Sequence, residues 1–82
     1  MVEIKLSKKF EQQFYELQTE MQERIIAVLD RISISPFRYL EKLKNSTYYK
    51  LRVGDYRLIV DVEKDVLVVL KVGHRKNIYN DV

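Results

Sequence analysis

Lys50, Arg52 and Arg57 flank a Gly54-Asp55 pair in the stretch Tyr49-Lys50-Leu51-Arg52-Val53-Gly54-Asp55-Tyr56-Arg57-Leu58-Ile59-Val60. A two-residue loop with glycine at its first position is a preferred connection between antiparallel strands. With the turn at Gly54-Asp55, Val53 faces Tyr56, Arg52 faces Arg57 and Leu51 faces Leu58. Side chains two apart share a face of a strand. Tyr49, Leu51, Val53, Tyr56, Leu58 and Val60 then form one face, and Lys50, Arg52 and Arg57 gather on the other. Like charges placed directly opposite each other destabilise a sheet. A polyanion is the external group that would offset this, so the chemistry suggested is nucleic-acid binding, set against the ordinary alternative of a solvated sheet face.

The elements that must position this hairpin follow from hydrophobic periodicity. Val2, Ile4 and Leu6 alternate and read as a first short strand over residues 2–6. Ser7 is a suitable helix N-cap, because its hydroxyl can satisfy an orphan backbone amide. Phe10, Phe14, Leu17, Met21, Ile25, Val28 and Ile32 recur at three- and four-residue intervals, one apolar stripe of helix. A single helix over residues 8–33 would be about 39 Å long, overhanging so small a domain. Thr19-Glu20-Met21-Gln22 fits a capping box. Two helices folded back on each other are therefore expected, with the break near Gln18-Thr19. Ser35-Pro36 ends the helical part, since the residue before proline is pushed out of helical geometry.

Residues 37–47 read as a connector anchored by Tyr39, Leu40 and Leu43, followed by strands over residues 48–53, 56–62 and 66–73. Strand, helical pair, three strands is an α+β pattern: an N-terminal strand, a two-helix hairpin and a three-stranded antiparallel sheet, with the helices on one sheet face. The last strand places Val66, Val68, Leu70 and Val72 on one side, expected toward the helices. Leu67, Val69, Lys71 and Gly73 fall on the other, continuing to Arg75. Lys71 and Arg75 thereby join Lys50, Arg52 and Arg57, with Asp61 as the acid expected on that face. A bulge or an odd-length turn would exchange a strand's faces.

The 82 residues with 46% hydrophobic content suit one small domain, taken as residues 1–82. The chain lacks cysteine, which excludes a disulfide framework and a cysteine-based zinc site and fits a reducing cytoplasm. The first residues do not read as a signal peptide, and no apolar run approaches a membrane span. A formal net charge of +3 is only mildly basic, so the argument for a polyanion rests on where the cations are placed.

The hairpin, followed by Val72-Gly73-His74-Arg75 and then Ile78-Tyr79, resembles the RelE branch of the RelE/ParE toxin superfamily. The resemblance runs along the whole chain and implies a compact, RelE-like microbial RNase fold. It implies a type II toxin that acts as an mRNA interferase, cleaving mRNA in the ribosomal A site without a metal ion or cofactor. Lys50, Arg57, Arg75 and Tyr79 match positions where RelE toxins carry catalytic residues. Tyr48, Arg52, Lys71, His74 and Lys76 are the accompanying RNA-binding candidates. RelE hairpins carry a further lysine at the position of Tyr48, a departure in this chain. The ParE branch shares the fold, lacks the RNase set and inhibits DNA gyrase.

Metal-free RNA cleavage requires deprotonation of the ribose 2′-hydroxyl, stabilisation of the phosphorane and protonation of the 5′-oxygen, giving a 2′,3′-cyclic phosphate. Lys50 is the expected general base or charge stabiliser. Arg57 is the expected phosphate clamp, because a guanidinium matches phosphate oxygens bidentately. Arg75 would stabilise the leaving oxygen, and Tyr79 would stack on a base or orient the attacking hydroxyl. Lys8, Lys9, Lys42, Lys44 and Lys76 are expected contacts to the rRNA backbone. The implied partners are the ribosome, mRNA and a RelB-like antitoxin, in a heterodimer or heterotetramer, with no membrane role. The competing readings are a gyrase-inhibiting toxin, an RNA-binding module without catalysis, and an inactive homologue kept for its antitoxin complex.

Overall fold

Ser7 joins the first two elements. The computed structural model describes residues 2–78. Strand β1 (Glu3–Leu6) runs into Ser7, whose hydroxyl accepts from Phe10 N at 3.0 Å and so caps helix α1 (Lys8–Tyr15). Helix α2 (Thr19–Ile34) follows after the expected break. The capping box does not form: Gln18 is the N-cap and makes no side-chain cap hydrogen bond. Gln22 Nε2 instead donates to Phe14 O at 3.1 Å and Leu17 O at 3.0 Å. Phe14 O also accepts from Leu17 N at 3.1 Å, so Gln22 ties the first turn of α2 to the turn that follows α1.

Pro36 starts a one-turn helix, α3 (Pro36–Tyr39), inside the expected connector. Leu40 reaches the core, whereas Tyr39 is exposed and anchors nothing. A two-residue strand, β2 (Glu41–Lys42), was not expected. Strands β3 (Tyr49–Val53), β4 (Tyr56–Glu63) and β5 (Val66–His74) follow. They do not stand alone as a three-stranded sheet: the sheet has five strands in the order β1-β5-β4-β3-β2, with β1 parallel to β5 and the other pairs antiparallel.

The core lies between the helices and one sheet face. Phe10, Ile25 and Ile32 meet Leu51, Val53, Leu58, Val60 and Val72, with Phe14, Leu17, Met21 and Val28 packed against them. The helical stripe therefore covers the expected face of the hairpin.

The first half of β5 is turned over relative to the sequence expectation. Leu67 and Val69 are in the core, while Val66, Val68 and Leu70 are only half-buried. The cause is a register shift: Ile59 pairs with Lys71 and Val60 with Val69, leaving Leu70 as the extra residue. Its carbonyl accepts from Ser7 Oγ at 2.6 Å, and Ser7 N donates to Val69 O at 2.9 Å. Beyond this bulge Val72 faces inward as expected, and Lys71 and Gly73 face outward.

Candidate nucleic-acid interface

Two rows of residues cross the outer sheet face. In the first, Arg52 pairs with Arg57, which pairs with Gly73. In the second, Glu41 pairs with Lys50, Lys50 with Ile59, and Ile59 with Lys71. Strands in a sheet lie about 4.8 Å apart, and residues two apart on one strand are about 7 Å apart. Lys50, Arg52, Arg57 and Lys71 thus share one face, with backbone positions within about 12 Å of one another. The register Val53–Tyr56, Arg52–Arg57, Leu51–Leu58 is the one read from the sequence.

Arg57 is the fixed point of this surface. It is 9% exposed, and its Nη1 donates to Gly54 O at 3.0 Å and to Tyr56 O at 2.9 Å. Gly54 has φ +60, which suits glycine at the first position of the turn. Backbone carbonyls hold one edge of the guanidinium.

Arg75 lies just beyond β5 and is exposed; its backbone N donates to Asp55 O at 2.9 Å, which ties it to the hairpin turn beside Arg57. Arg24 of α2, absent from the sequence-derived set, approaches the same turn. A methyl group on Gly54 would lie 2.9 Å from Arg24 Nη1. Nothing in the local sequence signals this, because the contact depends on how α2 packs over the hairpin.

Lys50 is half-buried and its Nζ is 3.7 Å from Glu41 Oε2, an ion pair across β2–β3. Glu41 and Glu63 thus join Asp61 as acids on this face. Lys71 is buried at 8% exposure. His74 pairs with Tyr56, on the face opposite Arg57, with the two rings edge-on at 5.7 Å; its Nδ1 accepts from Lys76 N at 3.2 Å. His74 is therefore not brought together with Lys50, Arg57 and Lys71. Arg52 and Lys76 are exposed and Tyr48 half-buried. Ile78 is buried and packs over Gly73, within 3.0 Å of where a methyl group there would lie. Tyr79 lies outside the described residues.

A family model described as the ParE toxin of type II toxin-antitoxin systems, parDE, matches residues 4–79. The chain belongs to this toxin family. Toxin RelE3 from Methanocaldococcus jannaschii is 40% identical over 42 residues, a match that covers 50% of this chain and 48% of that protein. The match thus spans about half the length of that curated relative. A chain of the RelB-RelE antitoxin-toxin complex from Methanococcus jannaschii is 26% identical, with a TM-score of 0.78 and coverage of 94% of this chain and 96% of that one. The RelBE2 toxin-antitoxin complex from Mycobacterium tuberculosis contains a chain with the same fold, with a TM-score of 0.83 at 19% identity over 90% of this chain and 98% of that one. These relatives carry RelE names, and their α+β architecture is the one this chain shares.

Proposed function

We propose that this toxin is a ribosome-dependent endoribonuclease that cleaves mRNA without a metal ion and so stops translation. The observation that carries the reading is the Arg57 guanidinium, held at one edge by Gly54 and Tyr56 carbonyls on the face that also carries Lys50, Arg52 and Lys71. Such a preset donor stabilises charge as it develops, without reorganising during the reaction.

In this mechanism the 2′-oxygen attacks phosphorus as its proton leaves, the phosphorane charge falls on Arg57, and the 5′-oxygen departs with a proton. The products are a 2′,3′-cyclic phosphate and a 5′-hydroxyl. Lys50 is the general base or charge stabiliser; its ion pair with Glu41 supports the second role. Arg75, beside the turn, stabilises the leaving oxygen, and the ribosome supplies the rest of the substrate's positioning. Arg52, Lys71 and Tyr48 contribute RNA contacts on the same side of the sheet.

We also propose a RelB-like antitoxin partner, on the strength of the RelB-RelE complexes among the structural relatives. The outer edge of β1 is free of strand partners among the described residues. Beside it, Ile4, Leu6, Ile26 and Leu29 line an apolar groove of about 320 Å³. An edge strand next to an apolar groove suits an extended or helical segment. No described helix is long and apolar enough to cross a membrane, and the proposed site of action is the cytoplasm.

Mapping mRNA 5′ ends after induction tests this function. New 5′-hydroxyl ends that disappear when the message is not translated support it. The ParE description of the matching family keeps a gyrase-directed toxin as the second reading. Loss of supercoiling with intact mRNA would select that reading instead.

A further inference from the structure

A cavity of about 520 Å³ opens beside Lys50 at the loop joining β2 to β3. Lys42, Leu43, Lys44, Asn45, Ser46 and Tyr48 line it together with Lys50, whose Nζ is also 3.7 Å from Glu41 Oε2. Its volume lies within the range of about 300–1,000 Å³ usual for small-molecule sites.

The loop is a built structure. Leu43 N donates to Tyr48 O at 2.9 Å, and Tyr48 N donates to Ser46 Oγ at 3.0 Å. Asn45 takes φ 59, a left-handed conformation that asparagine tolerates better than most residues. Tyr48 is held half-buried at the edge of the sheet, two residues before Lys50. Three lysines, one aromatic ring and small polar groups around one hollow match the parts of a nucleotide. Ammonium groups meet phosphate oxygens, and a tyrosine ring gives a base a stacking surface.

We propose that this cavity is a nucleotide-binding subsite, taking one nucleotide of a single-stranded RNA whose neighbouring phosphate lies at Arg57. Lys42 and Lys44 contact its phosphate and Tyr48 stacks on its base. The subsite rests on the reading of the outer face as an RNA-binding surface. Lys50 belongs to both places, because the Arg52–Arg57 row lies about 7 Å further along the strand.

The test is an NMR titration of the full chain with a single-stranded hexaribonucleotide, repeated over a range of salt concentrations. The wild type, a Lys42→Ala/Lys44→Ala double variant and Tyr48→Leu are compared after thermal melts confirm that each is folded. The expected wild-type result is amide shifts across residues 42–50. The double variant should bind on the order of tenfold more weakly, with the salt slope reduced by about 0.7 for the one phosphate that both lysines contact. Tyr48→Leu should weaken binding on the order of tenfold while leaving the slope unchanged. RNA binding by the wild type with unchanged affinity in both variants would overturn the subsite alone. Absence of RNA binding by the wild type would overturn the subsite, whereas the reading of the outer face falls separately if folded Arg57→Ala cleaves mRNA on programmed ribosomes at the wild-type rate.

Discussion

The Ser7 hydroxyl bonds to two backbone groups at once, accepting from Phe10 N at 3.0 Å and donating to the carbonyl of Leu70, sixty-three residues away, at 2.6 Å. One side chain therefore caps α1 and holds the bulge that sets which way β5 presents its residues. Upstream of Leu70 the odd-numbered positions Leu67 and Val69 face the core; downstream, odd-numbered Lys71 and Gly73 face outward. Without the extra residue, Lys71 would point into the helices.

Ser7→Ala removes both bonds and leaves a helix amide and a bulge carbonyl without their partner. The expected cost is about 1–3 kcal/mol of unfolding free energy. At this chain length a thermal melt would show it as a drop of several degrees. An unchanged melting temperature would mean that the bulge is held by other contacts.

Gly54→Ala forces a side chain into a φ of +60 and brings a methyl group within 2.9 Å of Arg24 Nη1. The arginine end can swing aside, so the backbone carries most of the penalty, about 1–2 kcal/mol. Because Gly54 O also holds Arg57, activity should fall further than stability accounts for. Comparing denaturant unfolding with cleavage rate separates the two effects.

How far the sequence discloses this arrangement depends on the local pattern. The β3–β4 register is legible because a two-residue turn fixes it, and cations alternate with apolar residues on the first arm. The start of β5 is not. Val66-Leu67-Val68-Val69-Leu70 is apolar at every position, so no alternation marks a face and nothing announces a bulge. The parallel pairing of β1 with β5 and the approach of Arg24 to Gly54 are tertiary facts without a local signature. Glu41 belongs to a two-residue strand too short to show a period, so the partner of Lys50 could not be read.

Glu41→Gln removes the carboxylate 3.7 Å from Lys50 Nζ. Glu41 is exposed and Lys50 half-buried, so losing the pair should cost no more than about 1 kcal/mol, a fall of less than about 8 °C in melting temperature. RNA affinity should rise a few-fold, because a negative charge leaves the cationic face, and the rise should fade as added salt screens it. A fall in affinity would show that Glu41 positions Lys50 rather than competing with RNA.

The most direct test of the account is the rate of mRNA cleavage on programmed ribosomes by Arg57→Ala beside Arg52→Ala, the residue opposite it in the sheet. Both variants remove one cation from the same row, but only Arg57 is held by backbone carbonyls. Arg57→Ala is expected to cut on the order of 100- to 1,000-fold more slowly. Arg52→Ala should lose no more than a few-fold, with both variants folded by thermal melt. Cleavage by folded Arg57→Ala at the wild-type rate would contradict the account.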